Sequence, residues 1–190
     1  NGVRRAEIYE HLHGLGYEVL TVPTLAQMAL GDSKFSELRG IRIDDLLERS
    51  VVMPNPTLMD INIRSKTILV TGAGGSIGAE LSRQVLRLGA NRLVLFDHSE
   101  FHLFQIDREL SDTRDRSASG CDLISVLGSI CSESDVSSIF SRYRIDTVFH
   151  AAAYKHVHLL EKNEFRGLYN NVIGTKVLVE ACVANGVDSM

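Results

Sequence analysis

TILVTGAGGSIG, residues Thr67 to Gly78, is a short apolar run that ends in four glycines within seven positions. The apolar run indicates a buried parallel strand, and the glycines mark a sharp exit from it into a helix. Gly72 can adopt backbone angles that a side chain blocks, and Gly75 allows the main chain to approach a pyrophosphate closely. Gly78 lets the new helix lie close to the strand. The stretch therefore predicts a strand, a phosphate-binding turn and a helix.

The residues after the glycine loop predict a helix that can hold an anion. Ser76 and Ile77 lie at its start, where unpaired N–H groups and the positive end of the helix dipole attract phosphate. The apolar positions expected on one face are Ile77, Leu81, Val85 and Leu88, with a stop at Gly89.

A second apolar run, Leu93 to Phe96, ends in Asp97, nineteen residues after the last glycine of the loop. At this spacing the carboxylate is expected to accept hydrogen bonds from the adenosine ribose hydroxyls of a dinucleotide. Because a 2′-phosphate would face that carboxylate, the pattern favours NAD as the cofactor, while NADP stays open. A solvated Asp at a strand end is the plain alternative.

Composition excludes several classes of partner. The chain has 190 residues, 20 of them Lys or Arg and 24 Asp or Glu, and no block of like charge indicates a nucleic-acid partner. Its apolar stretches fall far short of the roughly twenty residues that span a bilayer, so we expect no membrane span, no signal peptide and a cytoplasmic location. The three cysteines lack the close pairing of a zinc or redox motif, and we expect reduced thiols that serve packing. They are Cys121, Cys131 and Cys182.

Strands and helices alternate along the rest of the chain. The elements expected after Asp97 are a helix capped by Ser99 and running to about Leu110 with Phe101 and Phe104 among its apolar positions, a loop from Ser111 to Gly120, a strand from Leu123 to Leu127, a helix capped by Ser132 through Val136, Ile139 and Phe140, a strand from Asp146 to Ala151, and a helix from Asn163 to Ala184 closed by Gly186. This alternation predicts an α/β, Rossmann-like, doubly wound parallel sheet with strand order 3-2-1-4.

Two regions are expected. Residues 61–190 form the NAD(P)-binding Rossmann domain, which is incomplete at its C-terminus because a doubly wound domain has a second half and another strand is due near Val187. Residues 1–60 are the end of a preceding α/β region, with a helix from Glu7 to His13 and a strand from Tyr17 to Val22, plus a linker. The polar stretch from Gly31 to Pro56 is the linker or a docking segment.

Three further segments, together with the glycine loop, resemble one family closely. They are DHSE at residues 97–100, FHAAAYKHV at residues 149–157 and NNVIGT at residues 170–175. The combination resembles the CapD-like UDP-N-acetylglucosamine 4,6-dehydratases, membrane-anchored polysaccharide-biosynthesis enzymes of the extended short-chain dehydrogenase/reductase superfamily. IRIDDLLER, residues 41–49, is similar to the connector ahead of their catalytic domain, and the resemblance covers about residues 38 to 190.

The resemblance implies a reaction and a location. NAD or NADP takes a hydride from C4 of a UDP-linked hexosamine, water leaves across C5 and C6, and the hydride returns to C6. The acid and base residues of such enzymes would fall beyond Met190, so no catalytic residue is assigned and the chain alone is expected to be inactive. The parent protein would be anchored at the inner membrane with this domain on the cytoplasmic side, and a homo-oligomer is compatible with the family.

The cofactor-binding set that the resemblance implies includes Gly72, Gly75, Ser76, Ile77, Gly78, Asp97, His98, Ser99, Ser129, Ile130, Ala151, Ala152, Ala153, Lys155 and Asn171. In this set the three alanines line the nicotinamide side. Lys155 reaches the ribose or a sugar diphosphate, or is a solvated loop lysine. Asn171 ties the long helix to the neighbouring strand, or contacts the active site through water.

Two residues depart from the family pattern. Ser129 stands where the family usually has an Asp that accepts from the adenine amino group. A hydroxyl is shorter and uncharged, so the affinity for the cofactor is expected to fall. His158 stands where proline is common, which loosens the loop. Among the other histidines, His98 and His102 have helical i, i+4 spacing but lack an acidic partner, and we expect no metal site. His150, His156 and His158 lie near the expected pocket, where packing or solvation competes with a proton-transfer role.

Two other functions stay open. A UDP-sugar 4-epimerase or ketoreductase would share this cofactor half, and residues beyond Met190 would separate it from a dehydratase. A non-catalytic module that senses NAD(P) would use the same pocket without sugar turnover.

Overall fold

The computed structural model describes residues 2–21, 39–40 and 55–190. The chain divides into two compact units, Asn1–Pro54 and Asn55–Met190. In the first unit, helix α1 spans Gly2–Gly14 and contains the predicted helix. Strand β1 (Leu20–Thr21) pairs antiparallel with β2 (Arg39–Gly40), so pairing begins later than the predicted Tyr17. The connector at residues 41–49 and most of the polar stretch lie outside the described residues.

The second unit contains a four-stranded parallel sheet with helices between its strands. Its elements are α2 (Pro56–Ile63), β3 (Thr67–Thr71), α3 (Ser76–Arg87), β4 (Arg92–Asp97), α4 (Glu100–Ser117), β5 (Asp122–Leu127), α5 (Glu133–Arg142), β6 (Thr147–His150), α6 (Val157–Leu160), α7 (Glu164–Leu168), a π-helical turn (Tyr169–Gly174) and α8 (Thr175–Ala184). The order β5-β4-β3-β6 confirms the predicted 3-2-1-4 arrangement and the Rossmann-like class.

The central strands are buried on both faces, which explains their continuous apolar sequence. In β3, Leu69 is paired with Val94 on one side and with Val148 on the other. Ile68 and Val70 pack with α3 and α4, while Leu69 packs with α5 and α8 on the opposite face. The core therefore consists of two layers separated by the sheet.

Helix α3 is rotated relative to the predicted face. Val85 is buried as expected, but Ile77 is 65% exposed. The buried residues of the helix are Gly78, Ser82, Val85 and Leu86. The rotation follows from the tight start of the helix, where Gly78 lies against the glycine loop and the Ser82 hydroxyl donates to the Gly78 carbonyl at 2.8 Å.

Helix α4 is longer than predicted, because it continues to Ser117 through most of the segment expected to be a loop. It ends at Ala118, which has φ +49°, and the Ser119 N–H donates to the Arg114 carbonyl at 3.1 Å. The polar residues that suggested a loop form the solvated side of this helix. The expected apolar positions Phe101 and Phe104 are 64% and 61% exposed. The buried positions are Leu103, Ile106 and Leu110.

The C-terminal helical segment agrees with the prediction in extent and differs in one turn. Helices α7 and α8 are joined by the π-helical turn, and Gly186 follows with φ +66°. The Val148 N–H then donates to the Ser189 carbonyl at 2.9 Å, so a parallel pairing begins beside β6 near the predicted place. No helix in the described ranges has the length and apolar character needed to cross a membrane.

Candidate functional site

The glycine loop brings the end of β3 against the end of β6. Gly72 has φ +64°, and a Cβ atom added there would lie 2.7 Å from the Ala152 nitrogen and 2.8 Å from the Ala151 carbonyl carbon. A Cβ added to Gly78 would overlap the Gly72 carbonyl oxygen. Backbone atoms on both sides cannot move away, so only glycine fits at these two positions.

The N-terminus of α3 presents unpaired N–H groups. Gly75 is the N-cap residue, has no side chain to cap the helix, and accepts the first intrahelical bond from the Ala79 N–H at 2.8 Å. Within the part of the chain that the structure describes, no oxygen accepts from the N–H groups of Ser76, Ile77 or Gly78. Such groups, together with the helix dipole, bind anions.

Asp97 ties the end of β4 to the glycine loop. Its Oδ2 accepts the Gly74 N–H at 2.9 Å, and its Oδ1 accepts the Ser99 N–H at 2.9 Å. The residue is only 6% exposed, and His98 Nδ1 lies 3.5 Å from Oδ1. A buried carboxylate has lone pairs beyond these two bonds, so it can still accept from a ligand hydroxyl.

A cavity of about 130 Å³ lies at the carboxyl ends of β3, β4, β5 and β6. Its lining consists of Gly72, Gly75, Phe96, Asp97, His98, His102, Gly128, Ser129, Ile130, Ala151, Ala152, Ala153, Tyr154 and Asn170. In open parallel sheets, ligands bind in this crevice, where the strand order reverses. Nine of the fifteen residues predicted to bind cofactor line it.

A second cavity, of about 600 Å³, adjoins the first and shares Gly75 and the ends of the alanine run with it. It is lined by Gly75, Ser76, Ile77, His102, Ala151, Ala153, Tyr154, Lys155, His156, Leu159, Leu160, Asn163 and Arg166. The exposed Ile77 is thus part of an apolar wall, and the predicted residues Ser76, Ile77 and Lys155 lie here. Gly78, Ser99 and Asn171 line neither cavity.

The loop after β5 is built around a carboxylate that the sequence analysis did not identify. The Ser129 N–H donates to Asp135 Oδ2 at 2.9 Å, and the Ser129 hydroxyl accepts the Cys131 N–H at 3.2 Å. A Cβ added to Gly128 would lie 2.9 Å from Asp135 Oδ2. The i, i+6 spacing of Ser129 and Asp135 and the glycine just before Ser129 were the available signals.

Gly74 and His102 were also missed. A Cβ added to Gly74 would lie 2.5 Å from the His102 Cβ, so the second glycine of the loop allows α4 to approach closely. His102 borders both cavities. His98 precedes the start of α4, and its expected helical spacing to His102 is therefore wrong.

Asn171 holds the loop that follows β6. Its Oδ1 accepts the Tyr154 N–H at 2.9 Å, and its Nδ2 donates to the Tyr154 carbonyl at 3.0 Å. The Asn171 amide therefore ties the helical segment to the loop after the neighbouring strand. Ser99 caps α4 by accepting the His102 N–H at 3.4 Å.

His150 and the three cysteines lie outside both cavities. Burial lowers the pKa of His150 below its ordinary value, and this residue lines neither cavity. Burial also raises the pKa of the Cys121 and Cys182 thiols, and all three cysteines are free. Across the described ranges, no group of three or more His, Cys, Asp or Glu side chains could hold a metal ion.

These features together define a Rossmann-like domain: a parallel sheet with this strand order, a glycine loop, a helix N-terminus with unpaired N–H groups, and a buried carboxylate at a strand end. The model of the polysaccharide biosynthesis protein family matches residues 68–190. The chain belongs to this family, as a CapD-like member of the extended short-chain dehydrogenase/reductases.

Three relatives show the extent of the similarity. The capsular polysaccharide biosynthesis protein CapD of Staphylococcus aureus is 32% identical over 166 residues, which cover 87% of this chain and 27% of CapD. The probable polysaccharide biosynthesis protein EpsC of Bacillus subtilis is 31% identical over 182 residues, 96% of this chain and 30% of EpsC. An inverting UDP-N-acetylglucosamine 4,6-dehydratase of Campylobacter jejuni is 26% identical, covering 64% of this chain and 34% of the enzyme. The chain thus spans about a third or less of the length of these relatives.

Solved structures support the fold. Pen from Bacillus thuringiensis is 30% identical and superposes with a TM-score of 0.59, over 66% of this chain and 36% of Pen. An NAD+-bound xylitol dehydrogenase is 26% identical with a TM-score of 0.51, over 65% of this chain and 48% of that protein.

Proposed function

We propose that this chain binds NAD and forms the cofactor-binding part of a nucleotide-sugar dehydratase of surface polysaccharide biosynthesis. The observation that carries the proposal is that Gly72, Gly75 and Asp97, from two separate strand ends, line one cavity. Family membership and the dehydratase among the relatives support the reaction class.

The residues present fit a dinucleotide. A pyrophosphate needs close backbone approach and N–H donors, and Gly75 offers both because it carries no Cβ beside the unpaired N–H groups of Ser76 and Ile77. Asp97 then accepts from the adenosine ribose hydroxyls, and the three alanines after β6 leave room beside the nicotinamide. The structure of a similar dehydrogenase with bound NAD+ supports this assignment of the cofactor.

NAD is favoured over NADP on electrostatic grounds. A 2′-phosphate would face the buried Asp97 carboxylate, and no described side chain lining this cavity is Lys or Arg. Burying an unpaired phosphate charge beside a carboxylate is costly, because like charges repel strongly where water is excluded.

The second cavity is the proposed place of the UDP-sugar. Lys155 and Arg166 border it, and their cationic side chains suit a diphosphate. Ile77, Leu159 and Leu160 add an apolar wall. When bound, the nicotinamide ring supplies a reversible hydride acceptor, while this chain positions the sugar and excludes water. By the family resemblance, residues 61–190 would be a cytoplasmic domain of a parent protein anchored at the inner membrane.

Isothermal titration of the 190-residue chain with NAD+ and NADP+ tests the cofactor assignment. We expect saturable NAD+ binding, weaker NADP+ binding, and a loss of about tenfold or more in NAD+ affinity for Gly75→Ala, since a methyl group would obstruct the phosphate. Gly120→Ala is the matched control, because an added Cβ there meets nothing within 4 Å and the residue lines neither cavity. Equal affinities of the two variants, or no NAD+ binding by the wild type, would refute the cofactor assignment.

The reaction class is tested separately, with a protein that extends this chain to the length of its relatives. Incubated with UDP-N-acetylglucosamine, it is expected to yield a 4-keto-6-deoxy sugar by NMR. A product that keeps its C6 hydroxyl and differs only at C4 would instead identify an epimerase.

A further inference from the structure

A chain of hydrogen bonds begins behind the proposed site, at residues that line neither cavity, and ends at Tyr154, which borders both. The His150 imidazole lies between two hydroxyls, with Nδ1 2.7 Å from Thr71 Oγ1 and Nε2 2.9 Å from Thr175 Oγ1. Thr175 Oγ1 also lies 2.8 Å from the Asn171 carbonyl oxygen, and the Asn171 amide holds both backbone groups of Tyr154. The chain therefore connects the end of β3 with the loop after β6.

The direction of these bonds follows from the proton count. A carbonyl only accepts, so Thr175 must use its single hydroxyl proton on Asn171. Thr175 then accepts from His150, which places the imidazole proton on Nε2 and leaves Nδ1 to accept from Thr71. Of the two neutral tautomers, only the Nε2–H form satisfies every bond. An imidazolium ion could also donate from both ring nitrogens, but burial, which lowers the pKa of His150, favours the neutral form.

We propose that His150 is a positioning residue that, through Thr175, holds the π-helical turn in the arrangement from which Asn171 clamps the loop backbone at Tyr154. Tyr154 borders both cavities and Lys155 borders the second, so this clamp sets the wall that the two cavities share. A π-helical turn is a rare, less stable form of helix, and here the hydroxyl and imidazole contacts stabilise it. The consequence for ligand binding rests on the function proposed above.

Thr175→Val in the 190-residue chain tests the proposal, because it removes the central hydroxyl and keeps the side-chain shape. By NMR hydrogen exchange, the Tyr154 amide is expected to exchange about tenfold faster, relative to the core-strand amides of Val94 and Leu95, since two partly buried bonds that support the Asn171 clamp are lost. NAD+ affinity is expected to fall about threefold or more. Thr113→Val is the matched control, because Thr113 makes the same i−4 bond, to the Glu109 carbonyl at 2.9 Å, away from any histidine.

A second measurement needs no variant. The ¹⁵N shifts of the wild-type His150 ring should report a protonated Nε2 and an unprotonated Nδ1 at neutral pH. An Nδ1–H tautomer, an imidazolium ion, or unchanged Tyr154 exchange in Thr175→Val would overturn the proposal. If the wild type binds no NAD+, the proposed function fails, while the exchange and tautomer results still decide the role of His150.

Discussion

Replacing Gly72 with Ala is expected to destabilise the domain strongly, because two separate costs coincide at this residue. Its φ of +64° is unfavourable for any residue with a Cβ. The new methyl carbon would also lie 2.7 Å from the Ala152 nitrogen, closer than Cβ atoms approach backbone in real proteins. Ala152 directly follows Ala151, whose N–H donates to the Thr71 carbonyl at 3.1 Å, so this backbone cannot withdraw without breaking that bond.

The expected magnitude follows from these two costs. Left-handed backbone costs about 1–2 kcal/mol for a residue other than glycine. Overpacking a tight interior typically costs about 1–3 kcal/mol. Together they reach about 2–5 kcal/mol, a large share of the roughly 5–15 kcal/mol by which domains are stable. With a urea m-value of about 2 kcal/mol per M, the unfolding midpoint would fall by about 1–2.5 M.

Gly89→Ala separates the two costs. Gly89 has φ +80°, but a Cβ added there meets nothing within 4 Å, so only the backbone cost applies. Its midpoint in urea unfolding, followed by circular dichroism, is expected to fall by about 0.5–1 M. Any gain from stiffening the unfolded chain is common to both variants. Equal losses for Gly72→Ala and Gly89→Ala would refute the close approach of β3 and β6 at this point.

Two further predictions concern titratable groups. Because burial lowers the pKa of His150 below its ordinary value of 6.5, the folded chain binds this proton less readily than the unfolded chain. As the pH decreases from about 6.5, the free energy of unfolding is therefore expected to decrease, and this group contributes at most about 1.4 kcal/mol per pH unit. Urea titrations that show equal pH slopes for the wild type and His150→Phe would contradict this. Burial raises the pKa of Cys121 and Cys182, so iodoacetamide at about pH 8 is expected to label the partly exposed Cys131 first. Mass spectrometry of the folded protein gives the order in which the cysteines are labelled. Equal labelling of all three cysteines in the absence of urea would argue against the burial of Cys121 and Cys182.

The sheet was predictable because its signals are local and consistent. Apolar runs such as Ile68–Val70, the glycines after them and the Ser99 and Ser132 caps all lie within a few residues of the feature they specify. The order and direction of the strands in the sheet then follow from the right-handedness of the crossover connections. Asp97 was predictable for the same reason, since its distance from the loop is set by one helix and one strand.

The features that could not be predicted from the sequence depend on solvation or on contacts between residues that are far apart in the chain. The length of α4 exceeds the prediction because polar residues of a solvated helix resemble those of a loop. Ile77 faces a cavity because the start of α3 is fixed by Gly78 against Gly72. The bond from Asp135 to Ser129 needs the geometry of the loop after β5, and the bonds of His150 join three elements that are far apart in the chain.

The four glycines do not all argue for a ligand. Gly72 and Gly78 are required by the packing of the protein itself, because a Cβ at either would meet backbone, and a purely structural turn would need them too. Gly75 is different, since an added Cβ would meet only the Gly72 oxygen, at 3.2 Å, while the residue borders both cavities. The case for a bound phosphate therefore depends on Gly75 and on the unpaired N–H groups beside it, and the number of glycines adds little. This is why Gly75→Ala tests binding, whereas Gly72→Ala tests the fold.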